Sequence, residues 1–271
     1  MTRFLIFISS IFLLYSCSNQ SEESISDKDS LTITTVDSKD GKTKVKIPSP
    51  VEFYLFIRES KAEFNASALN NIEKASNYIT SSQKAVNFGI YASDLAYCTV
   101  YEQQQETNNY FKTLKNIAGE LGVNEGYDKT ILTRINKNLT NSDSLYQITN
   151  DSYWKVYNYL EDNNKSGILG PILIGGWIES VYLGFKSVET FSQDNPIVQR
   201  ITEQRYVLDN LLDYLSTIKK TNNIDGYITQ LNDLQTSFVK LASNQDNILI
   251  TKEQYKEIGN KIIKIRTEIT K

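Results

Sequence analysis

The sequence predicts an all-α protein: an antiparallel multi-helix bundle preceded by a disordered tether and a short β-hairpin. Apolar residues recur at steps of three and four over most of the chain beyond residue 50, which is the period of an amphipathic helix. Helix-start signatures stand directly before several of these runs, as at Asn195-Pro196 and at Thr251 with Gln254. Strand-like alternation occurs only in LTITTV (31–36) and KTKVKI (42–47), with DSKDG between them. Those two runs could pair as a hairpin, although an isolated two-stranded hairpin is marginal in water.

The elements follow in order. In Pro48-Ser49-Pro50-Val51-Glu52, Ser49 can cap a helix, Pro50 suits its first position and Glu52 completes a capping box. The folded domain is therefore expected to span 49–271. Its first helix carries Phe53 to Ile57, apolar on every side, as a central helix would be. A long helical pattern runs from about Ser82 to Leu121 and stops at Gly122. Residues 128–140 and 144–162 read as two more helices, through Ile131/Ile135/Leu139 and Leu145/Ile148/Ser152/Val156/Tyr159. Three further stripes run Ile197 to Ile218, Ile224 to Leu241 and Tyr255 to Ile269. Their narrow seams and short connections predict antiparallel packing at shallow angles. No 34-residue self-similarity is present, which argues against a tetratricopeptide-like solenoid.

The stretch GILGPILIGGWIESVYLG (167–184) needs its own reading. Gly170 and Gly175 have the spacing of a phosphate loop, but Gly176-Trp177 stands where Lys-Ser/Thr is required and no strand precedes it. Only twelve uncharged residues precede Glu179, too few to cross a bilayer, which takes roughly 20. A helix starting at Pro171 remains, with Gly176, Ser180 and Gly184 forming a small-residue face for close packing at the centre of the bundle.

Composition excludes several chemistries. The chain has no histidine, so it lacks Ser-His-Asp and Cys-His catalysis and histidine metal sites. Its formal net charge of -3 argues against a nucleic-acid partner. Cys98 has no basic partner near in sequence and reads as a small buried hydrophobe. No catalytic residue, metal or cofactor is expected. The candidate ligand-binding residues are Asp94, Tyr97, Tyr101 and Gln105, at helical spacing on one face, with Trp177 and Glu179. Each has a plainer alternative. The helix can leave the core near Gln104 and Thr107, and Glu179 can be solvated at the edge of the apolar face or bonded to a tyrosine. Tyr153, Trp154, Tyr157 and Tyr159 could stack on sugars or simply pack in the core.

The N-terminus carries the most specific signal. Arg3 precedes a twelve-residue apolar run, Phe4 to Tyr15, which is the form of a secretory signal. Leu14-Tyr15-Ser16-Cys17 resembles the bacterial lipobox. The resemblance implies a signal peptide over 1–16, lipidation (palmitate among the acyl chains) at Cys17 and a lipid-anchored tether over 17–48. Residues 18–30 contain no aromatic residue and one large apolar one, Ile25, a composition that cannot offset chain entropy. Ser18 after the cysteine and Glu22-Glu23 behind it resemble Gram-negative lipoproteins of the outer membrane, with the periplasmic or surface face left open. Together with the tyrosine-rich helices, these features are similar to the helical lipoproteins of Bacteroidetes, from which no activity carries over. The expectation is a non-enzymatic, membrane-anchored envelope module that binds a small molecule, a glycan or an envelope protein. A purely structural envelope component and a glycan-binding accessory are the alternatives.

Overall fold

A computed structural model describes residues 35–37, 43–45, 47–124, 130–138, 141–218, 224–243 and 248–271. The expected signal peptide, Cys17 and the first part of the tether lie outside the described residues, as do Leu139 and the start of the expected helix 128–140. The helices are α1 (Val51–Glu59), α2 (Ser81–Val100), α3 (Gln104–Glu120), α4 (Ile131–Lys137), α5 (Ser142–Asp162), α6 (Ser166–Lys186), α7 (Pro196–Thr217), α8 (Asp225–Val239) and α9 (Lys252–Ile269). The domain is all-α. Its β-structure among the described residues is minor. Strand β1 (Thr35–Asp37) pairs antiparallel with β2 (Thr43–Val45), Thr35 opposite Val45. A two-residue pair joins β3 (Ala242–Ser243) to β4 (Ile248–Leu249).

The core is organised around α6, buried from Leu169 to Gly175 and from Trp177 to Gly184. It packs most extensively on α2 and also touches α9, α7, α5 and α1. Two glycines make the α2–α6 contact possible. A Cβ added to Gly89 would lie 2.7 Å from the Gly176 nitrogen and would overlap the Ile172 carbonyl oxygen. One added to Gly175 would lie 2.9 Å from the Val86 carbonyl carbon and would overlap its oxygen. The two backbones thus touch directly, and Ser93 Oγ donates across the contact to the Gly176 carbonyl at 3.2 Å. Positions rise together along both helices, from Val86 beside Gly175 to Asp94 beside Glu179. The central pair is therefore parallel, whereas the antiparallel expectation concerned the consecutive helices over 197–269.

The expected small-residue face is also rearranged. Gly175 rather than Gly176 meets the neighbouring backbone most closely, since a Cβ at Gly176 would stay 3.7 Å from the Gly89 oxygen. A Cβ added at Gly184 would instead meet a side chain, the Phe53 ring, at 2.7 Å. Ser180 turns its hydroxyl back to the Trp177 carbonyl. Pro171 lies inside α6 instead of starting it, because the helix begins at Ser166. By length and composition α6 could cross a membrane, but 83% of its most apolar window is buried within this fold. A core helix passes the same test.

The outer helices follow the sequence pattern closely. Asn195 Oδ1 accepts from the backbone N–H of Ile197 at 2.9 Å, with Pro196 in the first turn. Thr251 and Gln254 form the reciprocal capping box of α9. Ile197, Ile201, Gln204, Leu208, Leu211, Leu215 and Ile218 are all buried. Lys261 with Asp233 and Ser237 with Glu257 set α8 and α9 antiparallel.

Two expected helix boundaries require correction. The long pattern from Ser82 to Leu121 is two helices. At their junction Glu102 takes φ 58°, Gln103 N–H bonds to the Cys98 carbonyl and Glu102 N–H to that of Thr99. This is a Schellman stop with glutamate where glycine is usual, and Arg58 holds the carboxylate at 2.8 Å. At the start of α1 the capping box does not form. Ser49 Oγ reaches the Val51 N–H only at 3.4 Å, and Glu52 accepts from the Tyr146 hydroxyl instead.

The glycine contact predicts an unequal response to one added methyl group. Gly89→Ala and Gly175→Ala should destabilise the fold at or above the upper end of the usual overpacking cost, about 1–3 kcal/mol, because each clash is with backbone. Gly176→Ala should stay within about 1 kcal/mol of wild type, since it finds space and gains helix propensity. Urea titration of the three variants measures this, and equal effects would contradict the direct backbone contact.

Candidate functional site

The polar centre of the molecule joins three elements. From α6, Glu179 projects into the interior with 0% exposure. From α9, Arg266 meets it in a bidentate pair, Nε to Oε2 at 2.9 Å and Nη2 to Oε1 at 2.9 Å. The same Nη2 donates to the Ala68 carbonyl at 3.1 Å, and the guanidinium lies over the Tyr182 ring at 4.3 Å. From α2, Asp94 is also fully buried, and its Oδ2 accepts from the Asn70 backbone N–H at 3.2 Å. Asp94 Oδ1 has no hydrogen-bond partner among the described residues.

Electrostatics follow from this burial. Desolvation raises the pKa of Asp94 well above the usual carboxylate value, and the neighbouring Glu179 charge raises it further. Desolvation also raises that of Glu179, against the bonds and charge of Arg266, which oppose the shift. For Arg266, burial works to lower the pKa, but the bonds and charge of Glu179 outweigh it and the group stays charged. Glu179 is thus neither solvated at a rim nor bonded to a tyrosine. It is the acid of a buried ion pair, and the counter-charge comes from 87 residues away in sequence.

The structure brings Asp94 and Glu179 together and separates the other candidates. Tyr97 and Tyr101 pack around Phe64, with ring centroids 5.3 and 5.7 Å away. Their hydroxyls bond to the backbone of the segment between α1 and α2: Tyr97 accepts from Asn65 N–H, and Tyr101 donates to the Ala62 carbonyl. Tyr91 and Tyr110 do likewise with the Asn71 and Asn70 carbonyls. These phenols fasten an irregular stretch, two 3-10 turns at Ala66–Ala68 and Ile72–Asn77, onto α2 and α3. That stretch in turn supplies the Ala68 carbonyl and the Asn70 N–H at the polar centre. Gln105 is exposed beyond the helix break. Trp177 is buried, its Nε1 without an acceptor among the described residues.

The aromatic cluster of α5 does not present a flat platform. Tyr153 and Trp154 meet edge to face at 80°, Trp154 and Tyr157 at 61°, and the Tyr153 hydroxyl donates to the Ile47 carbonyl. Tyr157 is buried. Cys98 is buried as well, and desolvation pushes its thiol pKa up, away from nucleophilic reactivity. Among the described residues no group of three or more Cys, Asp or Glu side chains is arranged to hold a metal.

Sequence reasoning found the two acids and missed Arg266, Asn70 and the Ala68 carbonyl. Arg266 follows Ile262 by one turn and Ile265 by one residue, so it borders the apolar stripe of α9. A long cation at the margin of a stripe usually reaches outward to water, and here it turns inward. No protein-family model, curated protein or solved structure matches the chain.

The pair predicts a non-additive mutational pattern. Arg266→Met strands a buried charge, and breaking a buried pair in this way typically costs about 3–5 kcal/mol. Adding Glu179→Met should recover part of that loss, because the second change removes the stranded acid. Urea titration of both single variants and the double variant gives the coupling. A double variant as unstable as the sum of the singles would show that the two residues do not act as a pair.

Proposed function

We propose that the chain is a membrane-anchored lipoprotein of the cell envelope, held by acyl chains at Cys17, whose helical domain acts as a non-enzymatic adaptor for an envelope protein. The supporting observation is how the candidate polar side chains are used. Glu179 is neutralised by Arg266, and the phenols of Tyr97 and Tyr101 bond backbone within the fold. These three groups hold the domain together instead of lining a ligand site. Partner contact then falls to the outer faces of the helices. The absence of histidine and the buried Cys98 support a non-enzymatic role. The lipobox-like Leu14-Tyr15-Ser16-Cys17, followed by the polar residues 18–30, supports anchoring, at the outer membrane by resemblance. Two or more acyl chains give a stable anchor where one gives a marginal one.

Labelling tests the anchor. In cells fed labelled palmitate, the wild-type chain should take up label and enter the detergent phase, and Cys17→Ser should do neither. Unlabelled wild-type protein in the aqueous phase would end the lipoprotein reading. A thermal-shift screen of envelope metabolites and glycans separates adaptor from ligand binder. The adaptor reading expects no saturable shift, and a shift abolished by Glu179→Gln would replace it with small-molecule binding.

A further inference from the structure

The buried polar centre contains an imbalance of charge. Asp94, Glu179 and Arg266 meet there as two acids and one base, and both acids are fully buried. The other titratable groups around Asp94 are the phenols of Tyr54 on α1, Tyr91 on α2, Tyr110 on α3 and Tyr182 on α6, together with the Cys98 thiol. Burial shifts every one of these upward, so each remains neutral. With both acids ionised the centre would carry an uncompensated negative charge away from water, which is strongly unfavourable. One proton removes it.

Geometry decides where that proton sits. Arg266 occupies both oxygens of Glu179 with charge-assisted bonds, the arrangement that favours an ionised acid. Asp94 receives a single backbone N–H, on Oδ2. Its Oδ1 is buried with no hydrogen-bond partner among the described residues, and the neighbouring acid is Glu179. Two carboxylates are acceptors only, and a bond between them requires a proton on one.

We propose that Asp94 is a neutral carboxylic acid in the folded protein, donating from Oδ1 to the Glu179 carboxylate, so that folding takes up one proton and the α2–α6–α9 junction is a pH-sensitive latch. The sign follows from linkage. An acid whose folded-state value lies above its unfolded one contributes stability fully below the unfolded value, about 3.9 for aspartate. That contribution is lost as pH rises toward the folded value. Deprotonation would set two carboxylates against a single guanidinium and loosen the hold of α9 on α6.

The test uses urea unfolding of the full chain over about pH 5 to 8, comparing wild type with Asp94→Asn. Asparagine keeps the shape, accepts from Asn70 N–H through its oxygen and donates to Glu179 through its amide without a titrating proton. The wild-type folding constant should fall with rising pH, by up to about tenfold per unit more steeply than that of Asp94→Asn. Superimposable profiles would overturn the proposal. Should Asp94→Asn fail to fold, the wild type alone decides. The chain has no histidine to release protons near neutrality, and at about pH 6 the Cys98 thiol is protonated both folded and unfolded. Calorimetric unfolding in buffers of different ionisation enthalpy should therefore report release of about one proton, and the infrared spectrum of the folded chain should show a protonated-carboxyl stretch. No proton release and no such band would overturn it equally.

Discussion

The fold depends on a charge that cannot be buried alone. Glu179 lies at the middle of the most apolar helix, and nothing on its own helix neutralises it. Its partner, Arg266, comes from the last helix of the chain. The core around α6 is therefore incomplete until α9 has docked. A buried salt bridge is weak evidence of added stability, because desolvation offsets much of the attraction. It is better at specifying register. The stripe of Ile258, Ile262, Ile265 and Ile269 repeats about every turn, roughly 5.4 Å, so its apolar spacing constrains a one-turn slide of α9 less sharply than a charge pair does. The same slide would leave Glu179 and Arg266 both buried and unpaired, so one alignment is selected.

Two other devices fix what surrounds that pair. Glycines at 89 and 175 let α2 and α6 touch backbone to backbone, and this brings Asp94 within reach of Glu179. Tyrosine hydroxyls then hold the segment between α1 and α2 against the helices by its carbonyls and amides. Tyrosine suits this task, since its ring fills the core while its hydroxyl reaches backbone polar groups that need partners. The abundance of tyrosine thus has an architectural explanation, and the same bonds position the Ala68 carbonyl and the Asn70 amide at the polar centre.

Much of the architecture was legible where local chemistry decides it. The Asn195-Pro196 start, the Thr251/Gln254 box and the buried stripe of α7 are visible from a few neighbouring residues. The break between α2 and α3 was not, because Glu102 adopts a left-handed conformation that sequence associates with glycine, and it is held by Arg58 from another helix. The parallel direction of α2 and α6 was hidden for a related reason. Gly89 and Gly175 are recognisable as small residues, but only the tertiary contact shows that they face each other. At the candidate site the two acids stood out as oddities in apolar runs. Their partner did not, since an arginine beside an apolar stripe is ordinarily a solvated flank.

Hydrogen exchange at the Arg266 side chain examines the buried pair directly. Its Nε–H donates to Glu179 Oε2, and its side chain is 14% exposed, whereas that of Arg134 is 44% exposed. By nitrogen-15 NMR near neutral pH, the Arg266 Nε–H should remain visible and exchange far more slowly than that of Arg134. Its protection should disappear in Glu179→Gln. An Arg266 Nε–H that exchanges as fast as that of Arg134 in the wild-type protein would contradict the buried pair and the register it imposes on α9.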